Sequence, residues 1–420
     1  MLSYIIQGGN KLHGRVKAAG SKNAALPIIA TAILNKEPVT LYNIPDIEDT
    51  KITLEILKIL GCKIVRNSDK ITICSANMNK TSIPKDLMHK LRSTVVLAGA
   101  IIGRFKEATF AYPGGCNIGA RPIDLHLDSF QKLGISIDEK EDYIHCSCKE
   151  IVGRRIKLKF PSVGATENII LASVYAKGAT HITNAAKEPE IKDLAKCLNS
   201  MGAKVYGAGT SEITIFGVKK LHRTEYKIMS DRIETGTILA AVAGAGGSVT
   251  VENTNPENLL TVLYSFKEMG CKISIRKDKI SLKAPEKLKH LDISTEPYPG
   301  FPTDMQPIMG SILIKAEGKS TITENIFENR FKYAEELVRM GANITQNDKK
   351  LEIVGVDKLE GKDVMSKDLR GGAALVIAGL MSEGVTKVEN IEYILRGYEN
   401  LDTKLKSLGA NIEIKKEKVV

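Results

Sequence analysis

The stretch Leu60-Gly61-Cys62-Lys63-Ile64 decides the fold because its pattern recurs: a glycine follows Leu or Met and precedes an apolar residue three positions on. Five further copies follow at intervals of 68 to 73 residues, each behind an apolar run and an amphipathic segment. They are centred on Leu133-Gly134, Met201-Gly202, Met269-Gly270, Met340-Gly341 and Leu408-Gly409. The chain therefore consists of six internal repeats of about 70 residues.

Each repeat has the same predicted structure. Leu54, Leu57 and Leu60 have helical spacing, and the glycine that follows supplies the left-handed residue that ends a helix without strain. Alternating residues on both sides of a polar turn then predict a β-hairpin, as in 64–73. A second helix, rich in small residues and expected to be buried, completes each repeat. These helices are predicted over 23–34, 91–102, 163–176, 233–243, 306–314 and 371–381.

The number of repeats predicts two domains of an α/β fold. Three repeats make a domain of ordinary size, so two similar domains are favoured over one of 420 residues. The boundary is expected within 223–230. The first strand, Tyr4-Ile5-Ile6, has no repeat of its own and is expected to complete the sheet of the last one. We therefore predict an N-terminal domain over 21–229 and a discontinuous C-terminal domain over 1–20 and 230–420.

Composition limits the class of protein. No apolar run approaches the roughly 20 residues of a membrane span, and no targeting segment is recognised, so a cytoplasmic protein is expected. Seven scattered cysteines do not form a disulfide pattern. The net charge of +11 comes from dispersed lysines without aromatic interleaving, which favours a solvated surface over nucleic-acid binding and also suits anionic substrates.

Two patterns resemble ligand sites but have simpler explanations. In His145-Cys146-Ser147-Cys148, strand alternation places the histidine opposite both cysteines, so no metal is expected. The glycine groups at 207–209 and 244–247 lack the spacing of a dinucleotide fingerprint and are interpreted as turns.

The second repeat has the longest segment between the end of its first strand and its repeated glycine. The surplus is the loop Pro113-Gly114-Gly115-Cys116-Asn117-Ile118-Gly119-Ala120-Arg121-Pro122, whose glycines allow it to change shape. A nearby arginine favours a thiolate, so Cys116 is a candidate reactive thiol. The alternative is a buried cysteine that only packs.

Several helix starts carry groups that suit anions. Lys22 and Asn23 begin one helix, and Ser162-Val163-Gly164 offers backbone N–H groups at another. Arginine forks match carboxylates and phosphates, and four lie near helix starts: Arg92, Arg121, Arg370 and Arg396. Asp304 precedes a further helix, where capping is the simpler role for a lone aspartate.

Together these motifs resemble the UDP-N-acetylglucosamine enolpyruvyl transferases, in order and over essentially the whole chain. The matching segments are 20–27 (GSKNAALP), 113–122 (PGGCNIGARP), 161–166 (PSVGAT), 231–237 (DRIETGT), 301–306 (FPTDMQ), 327–331 (FENRF), 368–370 (DLR) and 396–398 (RGY). The resemblance implies a two-domain, inside-out α/β barrel. It also implies transfer of the enolpyruvyl group of phosphoenolpyruvate to the 3-hydroxyl of UDP-N-acetylglucosamine, the first committed step of peptidoglycan synthesis.

The resemblance also implies roles for individual residues. The expected catalytic residues are Cys116, Asp304 and Lys22. Cys116 is expected to donate a proton and to form covalent adducts, with its part in turnover or product release left open, and Asp304 is expected to act as base. Phosphoenolpyruvate would meet Lys22, Asn23, Arg121, Arg370 and Arg396. UDP-N-acetylglucosamine would meet Asn23, Arg92, Arg121, Pro122, Ile123, Asp124, Leu125, Ser162, Val163, Gly164, Asp304 and Ile326. No metal, organic cofactor or obligate protein partner is expected.

One departure and two alternatives accompany the resemblance. Phe160 stands where some members carry a lysine that faces the diphosphate, so one phosphate contact is expected to be altered. The sister enzyme that makes enolpyruvylshikimate phosphate shares the fold and the donor but lacks the Gly-Gly-Cys loop. A non-catalytic paralogue that binds the nucleotide sugar is the alternative from another class.

Overall fold

The computed structural model describes residues 2–67, 70–112, 114 and 123–416, apart from the side chain of Arg92. Internal contacts divide this part of the chain into two units. The N-terminal unit comprises the described residues of 20–112 with 114 and 123–229. The C-terminal unit comprises 2–19 and 230–416. The predicted turn residues Ser68 and Asp69 lie outside the described residues.

Helices and strands alternate along the whole described chain. The α-helices are α1 Lys22–Leu34, α2 Glu48–Ile59, α3 Lys85–Lys90, α4 Val95–Phe105, α5 Asp124–Lys132, α6 Val163–Ser173, α7 Pro189–Ser200, α8 Arg232–Ala245, α9 Leu260–Glu268, α10 Gln306–Leu313, α11 Lys332–Arg339, α12 Leu369–Met381, α13 Glu392–Leu395 and α14 Leu401–Ser407. Short 3₁₀ helices span Arg92–Thr94, Pro256–Leu259 and Thr303–Met305. The strands are β1 Leu2–Gln7, β2 Leu12–Lys17, β3 Val39–Tyr42, β4 Lys63–Asn67, β5 Lys70–Cys74, β6 Glu107–Phe110, β7 Ser136–Glu139, β8 Ile144–Ser147, β9 Arg155–Lys157, β10 Ala179–Thr183, β11 Lys204–Tyr206, β12 Glu212–Phe216, β13 Thr224–Lys227, β14 Gly247–Glu252, β15 Lys272–Arg276, β16 Lys279–Lys283, β17 Leu288–Lys289, β18 Asp292–Ser294, β19 Ala316–Glu317, β20 Lys319–Thr323, β21 Asn343–Asn347, β22 Lys350–Val354, β23 Asp363–Met365, β24 Val385–Glu389 and β25 Asn411–Lys416.

Five of the six repeats contain a four-stranded sheet of one pattern. A strand pairs in parallel with the first strand of the repeat, which pairs antiparallel with a hairpin, as in the order β13-β3-β5-β4. In the last repeat β1 takes the place of one hairpin strand, because it lies antiparallel between β24 and β25. The first strand therefore completes the last sheet, as the sequence predicted. The second repeat has three strands, β6-β8-β7, and a single parallel bridge from Ser82 to Thr109.

The six repeated glycines all adopt the left-handed conformation that ends a helix. Their φ angles are 104° at Gly61, 81° at Gly134, 95° at Gly202, 94° at Gly270, 96° at Gly341 and 101° at Gly409. Residues with a Cβ rarely adopt these angles, so glycine is required at this point of each repeat. The predicted helix ends are confirmed.

The small-residue helices form the interior of each unit. Helices α1, α4 and α6 are buried along nearly their whole length in the N-terminal unit, as are α8, α10 and α12 in the C-terminal unit. Small residues permit this packing. A Cβ on Gly99 of α4 would lie 2.3 Å from Oδ1 of Asn168 in α6, and one on Gly103 would lie 2.8 Å from the carbonyl oxygen of Leu171. Each unit has its own apolar core.

No helix within residues 2–67, 70–112, 114 and 123–416 is both long and apolar enough to cross a bilayer.

Candidate active site

The start of α1 presents a lysine held by a buried carboxylate. Ser21 caps the helix by accepting the N–H of Ala24 at 3.4 Å, and Lys22 is the first helical residue. Its Nζ lies 2.6 Å from Oδ2 of Asp49 in α2, whose side chain is fully buried. Gly20 is needed just before the cap, because a Cβ there would lie 1.7 Å from the carbonyl oxygen of Asn43. Asp49 therefore fixes Lys22 at the helix start.

The start of α6 is the predicted diphosphate site. Ser162 caps it by accepting the N–H of Ala165 at 3.3 Å. The cap satisfies one of the backbone donors that a helix start leaves open, and the others point out of the helix end. Val163 and Gly164 are partly exposed there. The helix dipole adds a partial positive charge, so this turn suits an anion.

His126 of α5 packs against this turn. A Cβ on Gly164 would lie 2.8 Å from Cε1 of His126, so only glycine fits beside the ring. The histidine Nδ1 lies 2.7 Å from the side-chain nitrogen of Asn168, whose oxygen accepts the N–H of Gly99 at 2.9 Å. Because that amide nitrogen donates, Nδ1 accepts and Nε2 carries the proton. The structure thus brings α5 against the first turn of α6.

The other nucleotide-sugar residues of the N-terminal unit surround these helix starts. Ile123 is buried immediately before α5, Asp124 is exposed as its first residue, and Leu125 is partly buried. Phe160 is 41% exposed, so its ring contributes little to the core. Arg92 begins a 3₁₀ turn, and its side chain lies outside the described part.

In the C-terminal unit, Asp304 forms a buried ion-pair cluster with two arginines. Its Oδ1 lies 2.8 Å from Nη2 of Arg330, and its Oδ2 lies 3.1 Å from Nη2 of Arg370. Both arginine side chains are only 3% exposed, whereas that of Asp304 is 27% exposed. The 3₁₀ turn that contains Asp304 is preceded by Pro302, and α10 is preceded by Met305 at its cap position. Asp304 therefore does not stand at the cap position of either helix.

The two arginines retain buried donors for which no described residue supplies an acceptor. Nε of Arg330 and Nε and Nη1 of Arg370 are buried and make no hydrogen bond within the described residues. Burial lowers the pKa of the Arg370 guanidinium, but the Tyr398 side chain and two nearby aspartates raise it more, so the net pKa lies above the ordinary value. The guanidinium also lies 5.0 Å from the centre of the Tyr398 ring. Unsatisfied guanidinium donors are costly without a ligand, and oxyanions match their geometry.

The remaining site residues lie at helix starts, at a helix end and in a loop. Arg370 lies in the first turn of α12, where Asp368 accepts the N–H groups of Arg370 and Gly371 at 3.0 and 2.9 Å. Arg396 follows α13 and is partly buried. Asn23 is the second residue of α1, and the backbone N–H of Ile326 donates to Glu324 at 2.9 Å.

Cys116, Arg121 and Pro122 lie outside the described residues. The other six cysteines are described, and none forms a disulfide. Four are buried, and burial raises the pKa of Cys62 to about 11 and that of Cys146, Cys197 and Cys271 to about 12. Burial also raises the pKa of the Cys148 thiol.

Among the described residues, no group of three or more His, Cys, Asp or Glu side chains has an arrangement that could hold a metal ion.

Sequence reasoning assigned no role to three residues that structure the site: Asp49, His126 and Arg330. Each acts through a contact with a residue distant in sequence, to Lys22, Gly164 and Asp304 respectively. The motif Phe-Glu-Asn-Arg-Phe over 327–331 was the available signal for Arg330. Neither Asp49 nor His126 has a comparable local signal.

Known proteins resemble this chain over nearly its full length. A family model described as EPSP synthase (3-phosphoshikimate 1-carboxyvinyltransferase) matches residues 6–417. UDP-N-acetylglucosamine 1-carboxyvinyltransferase 2 of Caldanaerobacter subterraneus subsp. tengcongensis is 50% identical, over 98% of this chain and 99% of that protein. UDP-N-acetylglucosamine 1-carboxyvinyltransferase 1 of Carboxydothermus hydrogenoformans is 46% identical, over 98% of both chains.

Solved structures agree on the fold. The enolpyruvyl transferase NikO from Streptomyces tendae has a TM-score of 0.89 at 24% identity and covers 98% of both chains. EPSP synthase from Acinetobacter baumannii has a TM-score of 0.78 at 18% identity, over 99% of this chain and 100% of that chain. The predicted fold class is confirmed: it is that of the enolpyruvyl transferases. The chain belongs to the EPSP synthase family and, within it, to the UDP-N-acetylglucosamine 1-carboxyvinyltransferase family.

Proposed function

We propose that this enzyme transfers the enolpyruvyl group of phosphoenolpyruvate to the 3-hydroxyl of UDP-N-acetylglucosamine and releases phosphate. The relatives that are 43 to 50% identical are named for this carboxyvinyl transfer. The observation that carries the proposal is the cluster of Arg330, Asp304 and Arg370, which combines a carboxylate with buried, unsatisfied guanidinium donors. We infer that the reaction takes place in the cytoplasm, as the first committed step of peptidoglycan synthesis.

The reaction is an addition followed by an elimination. The sugar 3-oxygen attacks carbon 2 of phosphoenolpyruvate while carbon 3 gains a proton, which gives a tetrahedral ketal. Loss of a proton from carbon 3 and of phosphate from carbon 2 then yields the enol ether. The hydroxyl must lose a proton and the methylene carbon must gain one, so the site needs both a base and an acid.

The C-terminal unit is proposed to supply the base. Asp304 is held as a carboxylate by two arginines, which is the protonation state that can accept the hydroxyl proton. The phosphate and carboxylate of phosphoenolpyruvate would supply acceptors for the unpaired donors of Arg370. Arg396 is also proposed to bind phosphoenolpyruvate. Ile326 is proposed to contact the sugar.

The N-terminal unit is proposed to supply the acid and most of the anion contacts. Cys116 would donate the proton to carbon 3, while Lys22, Asn23 and Arg121 would bind phosphoenolpyruvate. The uridine diphosphate would lie on the α6 turn at Ser162, Val163 and Gly164. The remaining contacts of the nucleotide sugar would come from Arg92, Pro122, Ile123, Asp124 and Leu125.

Release of inorganic phosphate tests the function. We expect the purified protein to release phosphate from phosphoenolpyruvate only when UDP-N-acetylglucosamine is present, with one equivalent of an enolpyruvyl nucleotide sugar detected by mass spectrometry. Shikimate 3-phosphate is the control acceptor. Release with shikimate 3-phosphate alone would assign the chain to the sister activity named by the family model. Binding of the nucleotide sugar without release would assign it to a non-catalytic protein.

A further inference from the structure

The Arg330–Asp304 ion pair is connected to a second buried acid, Glu324, which follows β20. Glu324 is 1% exposed. Its Oε1 accepts the N–H groups of Ile326 and Phe327 at 2.9 and 3.1 Å and the hydroxyl of Thr295 at 2.9 Å. Its Oε2 accepts the hydroxyl of Thr303 at 2.9 Å. All four contacts are made by neutral donors.

This arrangement differs from that of an ordinary buried acid. A buried carboxylate is usually paired with a cation, because removing a charge from water is costly. Among the described residues no Lys, Arg or His forms a salt bridge with Glu324, so its charge is satisfied by hydrogen bonds alone. A carboxylate held in this way strongly favours the one loop arrangement that brings all four donor groups to it.

The first connection from Glu324 to the ion pair passes through Thr303. Thr303 precedes Asp304 in the same 3₁₀ turn, and its hydroxyl is fixed by Oε2 of Glu324. The carbonyl oxygen of Thr303 also accepts Nη2 of Arg330 at 3.4 Å. Glu324 therefore fixes the backbone that carries the proposed base.

The second connection passes through the loop after β20. The N–H of Phe327 is held by Glu324, and the ring of Phe327 lies 5.7 Å from the Arg330 guanidinium. The same carboxylate oxygen holds Ile326, the proposed sugar contact. One buried carboxylate thus positions the turn of the base, the loop of its arginine partner and a substrate-binding residue.

We propose that Glu324 is a positioning residue for the reaction, which acts by orienting Asp304 and Arg330 through Thr303 and the 326–327 backbone. The proposal rests on the proposed function. It predicts that the bond between Thr303 and Glu324 affects turnover, whereas the bond between Thr295 and Glu324 affects only the fold.

The two threonines provide a matched pair of variants. Each donates its hydroxyl to Glu324 at 2.9 Å, but only Thr303 adjoins Asp304. Thr295 is fully buried, and its oxygen also accepts the N–H of Asn325 at 2.9 Å. Val has nearly the shape of Thr, so Thr303→Val and Thr295→Val each remove one hydroxyl with little change in volume.

The experiment measures kcat, the KM for phosphoenolpyruvate and the melting temperature of both variants and of Thr303→Ser, which keeps the hydroxyl. We expect Thr303→Val to lower kcat by about 10-fold to 100-fold with little change in KM, because a small displacement of a catalytic group has an effect of this size. Thr303→Ser should restore kcat to within about three-fold of the original enzyme by retaining the hydrogen bond. Thr295→Val should lower the melting temperature more than Thr303→Val and leave kcat within about two-fold.

Glu324→Gln and Glu324→Ala complete the series. In Glu324→Gln the amide oxygen can keep the two N–H donors while the amide nitrogen donates to the hydroxyl of Thr303, so most of the activity is expected to remain. Glu324→Ala leaves buried donors unpaired and should lose activity even where it folds.

Equal kcat values for the two valine variants, or no recovery in Thr303→Ser, would overturn the positioning role. The unsubstituted enzyme tests the proposed function separately. If it releases no phosphate, the proposed reaction is contradicted, whereas the role of Glu324 is judged only from the variants.

Discussion

Two of the buried helices in each unit begin with a side-chain cap, and the capping residue differs between the units. In the N-terminal unit Ser21 and Ser162 each accept one backbone N–H, at 3.4 and 3.3 Å. In the C-terminal unit Asp231 accepts two, at 2.7 and 2.9 Å, and Asp368 accepts two, at 3.0 and 2.9 Å. A serine cap leaves backbone N–H groups and the positive end of the helix available to an anion. An aspartate cap accepts more of these N–H groups and places its own negative charge at the positive end.

This difference matches the two modes of anion binding that we propose for the two units. The N-terminal unit offers helix starts, with Lys22 at one and Gly164 at another. The C-terminal unit offers guanidinium groups instead, and the aspartate caps stabilise the helix starts from which an arginine such as Arg370 projects. The same fold element is therefore proposed to bind phosphate in one unit, and in the other it places a cation.

The largest effect is expected for Asp304→Asn, which tests the chemical role of the C-terminal unit. An amide cannot accept the hydroxyl proton, so turnover should fall by about 10²-fold to 10⁴-fold. Asp292→Asn is the control, because Asp292 lies in the same unit and, among the described residues, its side chain accepts hydrogen bonds only from Thr321. Phosphate release and thermal unfolding are measured together. Near-normal turnover of Asp304→Asn would remove the assignment of this residue as base.

The next effect concerns the thiol that we assign to the N-terminal unit. Fosfomycin, an epoxide phosphonate, should alkylate Cys116, and Cys116→Asp should resist it yet retain turnover, because a carboxylic acid still donates a proton. The buried thiols with a pKa of about 11 or 12 are less than about 1% thiolate at pH 8, so they should react very slowly. Peptide mapping by mass spectrometry identifies the labelled residue. Label on another cysteine in the inhibited enzyme would contradict the assignment.

Exchanging the cap type tests the comparison directly. Ser162→Asp should keep α6 capped but place a negative charge where the diphosphate is proposed to bind, so the KM for UDP-N-acetylglucosamine should rise by about 10-fold or more. Ser162→Thr, which caps without a charge, is the matched control and should change the KM by less than about three-fold. Kinetics at low and high salt distinguish an electrostatic cause, because screening should reduce the difference. An unchanged KM in Ser162→Asp would mean that the α6 turn does not bind the diphosphate.

The fold was predictable because its signals are local and repeated. Each glycine such as Gly61 marks a helix end that only a left-handed residue can form, and the same signal appears six times. The role of β1 was predictable because Tyr4-Ile5-Ile6 was a strand without a repeat. The three-stranded sheet of the second repeat was not, because a missing edge strand leaves no mark in the periodicity.

The candidate site was predictable only where chemistry coincides with a local signal. Ser162 and Lys22 could be found because they stand at helix starts. The surroundings of Asp304 could not, because its ion pairs with Arg330 and Arg370 join residues 26 and 66 positions away. Without those partners, a lone aspartate before a helix is indistinguishable from a cap.

The smallest effect concerns two buried glutamates, one in each unit. Glu167 of α6 is buried, and burial together with Glu190 and Glu188 raises its pKa well above the ordinary value. Burial also raises the pKa of Glu234 in α8, but Lys404 lies 2.5 Å away and counteracts the shift. The two acids thus share a location in a buried helix and differ in the charge that faces them.

The sign of the pH dependence follows from the raised pKa of Glu167. Its neutral form is favoured in the folded state, so its contribution to stability is present below the unfolded pKa and is lost as the pH rises through the folded pKa. Glu167→Gln has no carboxyl group to titrate at this position and so avoids this loss. The melting temperature of Glu167→Gln minus that of the original protein should therefore be a few degrees larger at pH 8 than at pH 5. Glu234→Gln should instead lower the melting temperature at pH 8, because it leaves the ammonium of Lys404 without its carboxylate. Thermal unfolding at both pH values checks the pair, and a Glu167→Gln difference that shrinks with rising pH would show that Glu167 is charged and stabilised in the folded protein.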